Sequence, residues 1–171
     1  DLNLPLTDSL SIMLPKHGVS CQLSLECKQT SICVNGETLE SSSKAADNLL
    51  KYLGLFIDRP CALALDFNIP VAAGFASSAA CYASIAKALN EMFEWELAEE
   101  QLSGLARLGS GSACRSIEPG FSVWQAGVDP LGTDSVACGL KQGWPDLRVG
   151  LCVLSTAVKP TSSREGMQRT R

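Results

Sequence analysis

Pro70-Val71-Ala72-Ala73-Gly74-Phe75-Ala76-Ser77-Ser78-Ala79 is the stretch around which the rest of the chain is read. Upstream of it, Cys61, Leu63, Leu65, Phe67 and Ile69 fall on alternate positions, the period of a strand, and Pro70 removes the N–H that would continue the ladder. Downstream, residues 77 to about 93 contain no Gly or Pro and are rich in alanine, which predicts the longest helix, roughly 25 Å at 1.5 Å per residue. The stretch is then a loop of small residues between a strand and a helix whose first turn carries Ser77 and Ser78. Such a junction aims unpaired N–H groups and the positive end of a helix dipole at one spot, a ready site for phosphate. Gly-x-x-Ser-Ser alone serves as a helix cap as readily as a phosphate site. The approach Ala72-Ala73-Gly74 favours the second use, because small side chains let a ligand reach the backbone amides. The Gly-x-x-x-x-Gly-Lys pattern of a P-loop is absent.

Further along, Leu97 to Leu108 reads as a second helix, with Ala98, Leu102, Leu105 and Leu108 on one stripe and Glu99 and Glu100 near its positive end. Gly109 closes it. Directly after comes a second segment of small residues, Gly109-Ser110-Gly111-Ser112-Ala113-Cys114-Arg115, also read as a loop entering a helix. Its amides, two hydroxyls and a planar guanidinium match phosphate or carboxylate oxygens. The competing reading is a flexible turn with an arginine salt bridge.

The remaining elements follow from periodicity. Val19, Cys21, Leu23, Leu25 and Cys27 alternate as a half-buried strand. Asn35-Gly36 between residues 31–34 and 37–39 predicts a two-residue hairpin, since this pair tolerates positive φ. Lys44 to Leu53 forms an amphipathic helix with Ala45, Leu49, Leu50 and Leu53 on one face, ended by Gly54. Strands are expected at Gly120–Gln125, Ser135–Leu140 and Leu147–Leu154, separated by Pro and Gly turns. Strands and helices are interleaved, so the class is α+β or α/β.

The bulk numbers bound the function. The 171 residues are 46% apolar and 19% charged, enough for one globular domain with a core. A net charge of -4 with scattered basic residues gives no footprint for nucleic acid or an anionic membrane. No apolar run reaches the roughly 18 residues of a membrane span, and Asp1-Leu2-Asn3-Leu4-Pro5 is no signal peptide, so a soluble, cytoplasmic protein is expected. The eight cysteines form no Cys-x-x-Cys pair and are read as reduced, core-filling thiols. His17 is read as a surface turn residue, and Trp95, Trp124 and Trp144 as core or edge packing. Nothing in the sequence joins Asp66 to Glu118 as a carboxylate pair.

These residues carry a family resemblance. Pro70-x-x-x-Gly74-Phe75-x-Ser77-Ser78-Ala79 resembles the phosphate-binding motif of the GHMP small-molecule kinases, with Phe75 where leucine is usual. Gly109 to Ser116 is similar to the signature of the mevalonate diphosphate decarboxylases. The segment Asp1–Pro5 through Ser9-Leu10-Ser11 and the stretch Ser162-Ser163-Arg164-Glu165-Gly166-Met167 resemble two more of that family's elements, in the same order. The fold it implies is the α+β GHMP-kinase N-terminal domain, incomplete at both ends, over residues 1–171.

The resemblance implies ATP-dependent decarboxylation of mevalonate diphosphate to isopentenyl diphosphate, in isoprenoid biosynthesis. By motif position, Ala73, Gly74, Ala76, Ser77 and Ser78 would hold ATP, with Ser78 also at its Mg2+. Ser110, Gly111, Ser112 and Ser163 would contact substrate, and Arg115 would hold the departing carboxylate. A homodimer is implied for the complete enzyme. The family's lysine-bearing segment would precede Asp1 and its Asp-Ala-Gly-Pro element, with the catalytic base, would follow Arg171. The chain is therefore expected to correspond to about the first half of such an enzyme, lacking the C-terminal domain and inactive alone. Asp8 stands where a small polar residue is usual, which leaves a monophosphate relative of the substrate open. The alternatives are a GHMP-type kinase without decarboxylation and a non-catalytic nucleotide-binding remnant.

Overall fold

The computed structural model describes residues 2–69 and 76–152. The strand β1 (Ser9–Ile12) is followed by β2 (Val19–Ser24), β3 (Ser31–Val34), β4 (Glu37–Thr38), helix α1 (Lys44–Leu53) and β5 (Ala62–Phe67). Then come α2 (Ser77–Met92), α3 (Glu99–Gly109), a 3-10 turn at Gly111–Ser116, β6 (Phe121–Trp124) and β7 (Ala137–Gly139). The strands form two sheets, one in the order β2-β5-β3-β4 and one in the order β1-β6-β7.

The first sheet follows the sequence pattern closely. Along β2 exposure alternates, and β2 pairs antiparallel with β5 from Val19 opposite Phe67 to Ser24 opposite Ala62. Asn35 and Gly36 both take positive φ, 51° and 82°, the mirror-image turn that matches the twist of a two-residue hairpin. The Asn35 side chain also accepts the Phe67 N–H at 2.7 Å, which ties the hairpin to the end of β5. Strands β3 and β5 are parallel and need a crossover, which β4 and α1 supply. Ser43 caps α1 by accepting the Ala46 N–H at 3.2 Å.

On this sheet packs α2, which buries Ala79, Cys81, Tyr82, Ala83, Ile85, Ala86 and Leu89. The helix packs against both β2 and α3, and small residues at 79, 83 and 86 lie on one of its faces. The closest approach is at Gly109, where an added Cβ would lie 2.2 Å from the Tyr82 ring. Gly109 therefore does more than end α3; the Tyr82 ring occupies the space a side chain would need.

Three expectations need correction. The buried face of α1 is Ala46, Leu49, Tyr52 and Leu53, while Ala45 is exposed, because the helix is rotated to stack Tyr52 edge-on against Tyr82. Residues 147–152 form no strand, and residues 153–154 lie outside the described residues. The apolar alternation there is real, but Val149 and Leu151 are exposed; alternation without a hydrogen-bonding neighbour does not make a strand. Trp144 is 63% exposed and so is not core packing. By contrast β1 has no counterpart among the expected strands.

Candidate functional site

The first small-residue loop is only partly described: Ala73 and Gly74 lie outside the described residues, and so does Ser163. Its two flanks are fixed. At the end of β5, Asn68 accepts the Gly18 N–H at 2.6 Å and donates to the Lys16 carbonyl at 3.0 Å, which pins the strand that leads into the loop. On the other flank, the residue at the N-cap of α2 is Ala76, in the left-handed region at φ 53°. Alanine has no side-chain oxygen, and Ala76 makes no side-chain cap hydrogen bond. Ser77 and Ser78 stand inside the first turn of α2 and not at its N-cap position. Ser78 is exposed.

The second segment differs from expectation. It is a short 3-10 helix of six residues, Gly111–Ser116, and not the start of an α-helix, so its dipole is small. Packing explains the tighter form, because the turn is wedged between α2 and α3 with Ala113 and Cys114 fully buried. Burial pushes the Cys114 thiol up to about 12, against the pull of Arg115 and Arg107, so it stays protonated and inert. At Gly111 an added Cβ would lie 3.2 Å from the Asn3 carbonyl oxygen and 3.3 Å from the Trp124 ring.

The two segments meet. The hydroxyl oxygens of Ser78 and Ser110 are 3.5 Å apart, which brings the start of α2 against the start of the 3-10 turn. Ser112 and Arg115 are half-buried on the same turn. Arg115 donates from Nη1 to Ser9 Oγ at 3.0 Å, and its guanidinium lies over the Trp124 ring, 5.6 Å from the centroid.

Long-range contacts bind the N-terminal segment to this site. Asn3 Nδ2 donates to the carbonyls of Arg107 and Leu108, at 2.9 and 3.1 Å, at the end of α3. Asp8 accepts the Ala126 N–H at 2.7 Å, so one of its oxygens is committed to the backbone. Asn3, Ser9, Arg107 and Ser135 were not distinguishable as site residues in the sequence; only the resemblance of the segment as a whole marked the region of Asn3 and Ser9. Arg107 is 4% exposed, and its Nη1 donates to the Ser135 carbonyl. Its burial lowers the guanidinium's affinity for its proton from the ordinary arginine range.

These features define a class: an α+β domain of the GHMP-kinase N-terminal type, with the start of α2 set against the start of the 3-10 segment. Within that class, the model of the diphosphomevalonate decarboxylase-like N-terminal domain matches residues 1–137. The chain belongs to this family. A diphosphomevalonate decarboxylase of Bos taurus is 35% identical over 190 residues, covering 98% of this chain and 47% of its own length. The crystal structure of mevalonate diphosphate decarboxylase from Staphylococcus aureus superposes with a TM-score of 0.72 at 34% identity, over 82% of this chain and 43% of that one. MDDEF in complex with MVAPP, AMPPCP and magnesium superposes with a TM-score of 0.68 at 28% identity, over 80% and 43%. The chain spans about half the length of the curated relatives it matches. Among the described residues no helix is long and apolar enough to cross a membrane.

Proposed function

We propose that in its full-length context this chain provides the nucleotide and substrate-phosphate part of an ATP-dependent decarboxylase. The reaction converts mevalonate diphosphate to isopentenyl diphosphate. The observation that carries the reading is the 3.5 Å approach of Ser78 to Ser110, because phosphoryl transfer requires the donor's and acceptor's cradles to abut.

In this reading Ala73, Gly74, Ala76, Ser77 and Ser78 hold the nucleotide, with Ser78 also at its Mg2+. The absence of a side-chain cap at Ala76 fits that use. ATP supplies the phosphoryl group that turns the substrate's tertiary hydroxyl into a leaving group. Ser110, Gly111, Ser112 and Ser163 hold the substrate phosphates, and Arg115 holds the carboxylate. When phosphate departs with the C–O electron pair, the C–C bond to the carboxylate supplies the electrons of the new double bond, and carbon dioxide leaves. Arg115 orients the carboxylate along that path. Residues 1–171 act as the incomplete N-terminal domain, and the catalytic base comes from elsewhere in the full-length enzyme.

The test is the full-length protein with Mg-ATP and carboxyl-labelled mevalonate diphosphate. One carbon dioxide released per ADP is expected; ADP with a stable phosphorylated product and no carbon dioxide would make it a kinase. Arg115→Ala should lower kcat/KM for mevalonate diphosphate by about 100-fold, because it removes a charged partner of a desolvated carboxylate. Unchanged turnover would reject the assignment.

A further inference from the structure

The pose of Arg115 is set by a single register. Strands β1 and β6 pair antiparallel with Ser9 directly opposite Trp124, and these are the two residues that hold the guanidinium. A slip of one residue would bring Leu10 or Val123 beneath it instead. Trp124 is itself fixed, 7% exposed, with its indole N–H donated to Ser135 Oγ at 3.2 Å. That hydroxyl is oriented in turn, because it donates to the Gln125 carbonyl at 3.0 Å. The edge of the same ring lies under Gly111, so Trp124 floors the second cradle as well as the arginine.

We propose that Trp124 is a positioning residue: its ring face orients Arg115 toward the substrate carboxylate without competing for the guanidinium's hydrogen bonds. The inference rests on the reading of Arg115 given above. An arginine that must take up and release a carboxylate cannot be held by another carboxylate, whose oxygens would occupy the fork that the substrate needs. Ser9 takes one Nη1–H, and the π face attracts the cation electrostatically while accepting none of its in-plane donors. The indole N–H, pinned at Ser135, keeps the ring from rotating away.

The test uses the full-length enzyme with mono-, di- and trifluorotryptophan incorporated at position 124. Each fluorine weakens the negative face of the ring while leaving its volume nearly unchanged. The expected result is a stepwise fall in kcat/KM for mevalonate diphosphate, reaching about tenfold across the series, with KM for ATP constant. W124F, which keeps a ring face but loses the N–H that pins it, should lose part of the activity, and W124L should lose about as much as the most fluorinated ring. A flat fluorine series overturns the proposal, and being isosteric it remains informative if W124L fails to fold. If Arg115→Ala retains full turnover, the functional reading fails first; if Arg115→Ala is impaired and the series is flat, only the role of Trp124 is lost.

Discussion

The sheet β2-β5-β3-β4 and the sheet β1-β6-β7 are held in place by different forces. Against the first, Leu63, Leu65, Ile85 and Leu89 are 2% exposed or less and the contacts are those of an apolar core. Beside the second, the apolar cluster comprises Cys114, Trp124 and Ala137, and the other buried groups include Ser103, Arg107, Ser122 and Ser135. Ser103 accepts the Ala137 N–H at 2.9 Å and donates to the Glu100 carbonyl, which fastens β7 to α3; Ser122 donates to the Arg115 carbonyl at 3.1 Å. Hydrophobic burial is non-directional and makes a rigid platform, whereas hydrogen bonds fix orientation. The Arg115 segment stands on the oriented layer, and the platform carries α2, whose first turn bears Ser77 and Ser78.

The largest effect expected from this contrast is in the platform. Leu89→Ala removes a fully buried side chain in the last turn of α2 and should destabilise the protein by about 3 kcal/mol, read from denaturant unfolding of the full-length protein. KM for mevalonate diphosphate should be unaltered. A large change in KM with native-like unfolding would break the division, because it would mean that the platform tunes the site.

Ser103→Ala tests the other side. It leaves the buried Ala137 N–H without its acceptor and should cost about 2 kcal/mol. Here the consequence for function should be the greater one, since β7 pairs with β6 at Trp124 opposite Ala137. We expect a rise in KM for substrate at temperatures well below unfolding. A loss of stability with unchanged kinetics would show that the polar layer is merely structural.

The same contrast explains what could be read in the sequence. The hydrophobic period of β2, the Asn35-Gly36 turn and α1 at Lys44–Leu53 are local signals, and they lie where local patterns place them. The two small-residue segments were also legible as segments. Their meeting was not, since Ser78 and Ser110 are 32 positions apart and nothing local joins them. Strand β1 alternates Ser9, Leu10, Ser11, Ile12, yet its partner is β6, and Arg115 is 106 positions from Ser9. Serines buried at 103, 122 and 135 follow no hydrophobic pattern at all; their partners exist only once the chain has folded. Alternation misled in the opposite sense at residues 147–152, where the pattern is present and no strand forms among the described residues.

The smallest expected effect concerns the edge of the polar layer, where two carboxylates face each other. Glu118, just beyond the 3-10 turn, has its proton affinity raised above the usual carboxylate range, first by a hydrogen bond shared with Glu99 and then by partial burial and the charge of Glu99. The Gly139 N–H and Lys87 oppose the shift without cancelling it. Because the folded-state value lies above the unfolded one, the stabilisation is complete at acidic pH and is lost as pH rises through the folded-state value of Glu118. At neutral pH the pair is therefore a mild repulsion between the start of α3 and the exit of the turn. Glu99→Gln should raise the thermal midpoint slightly at pH 7, and the gain should shrink as the pH falls through the folded-state value of Glu118 and its carboxyl takes up a proton. A gain that persists in acid would mean that repulsion is not its cause, and a midpoint that falls at pH 7 would mean that Glu99 is held by an attraction stronger than its repulsion from Glu118. The boundary of the oriented layer would then lie farther from the site than Glu118.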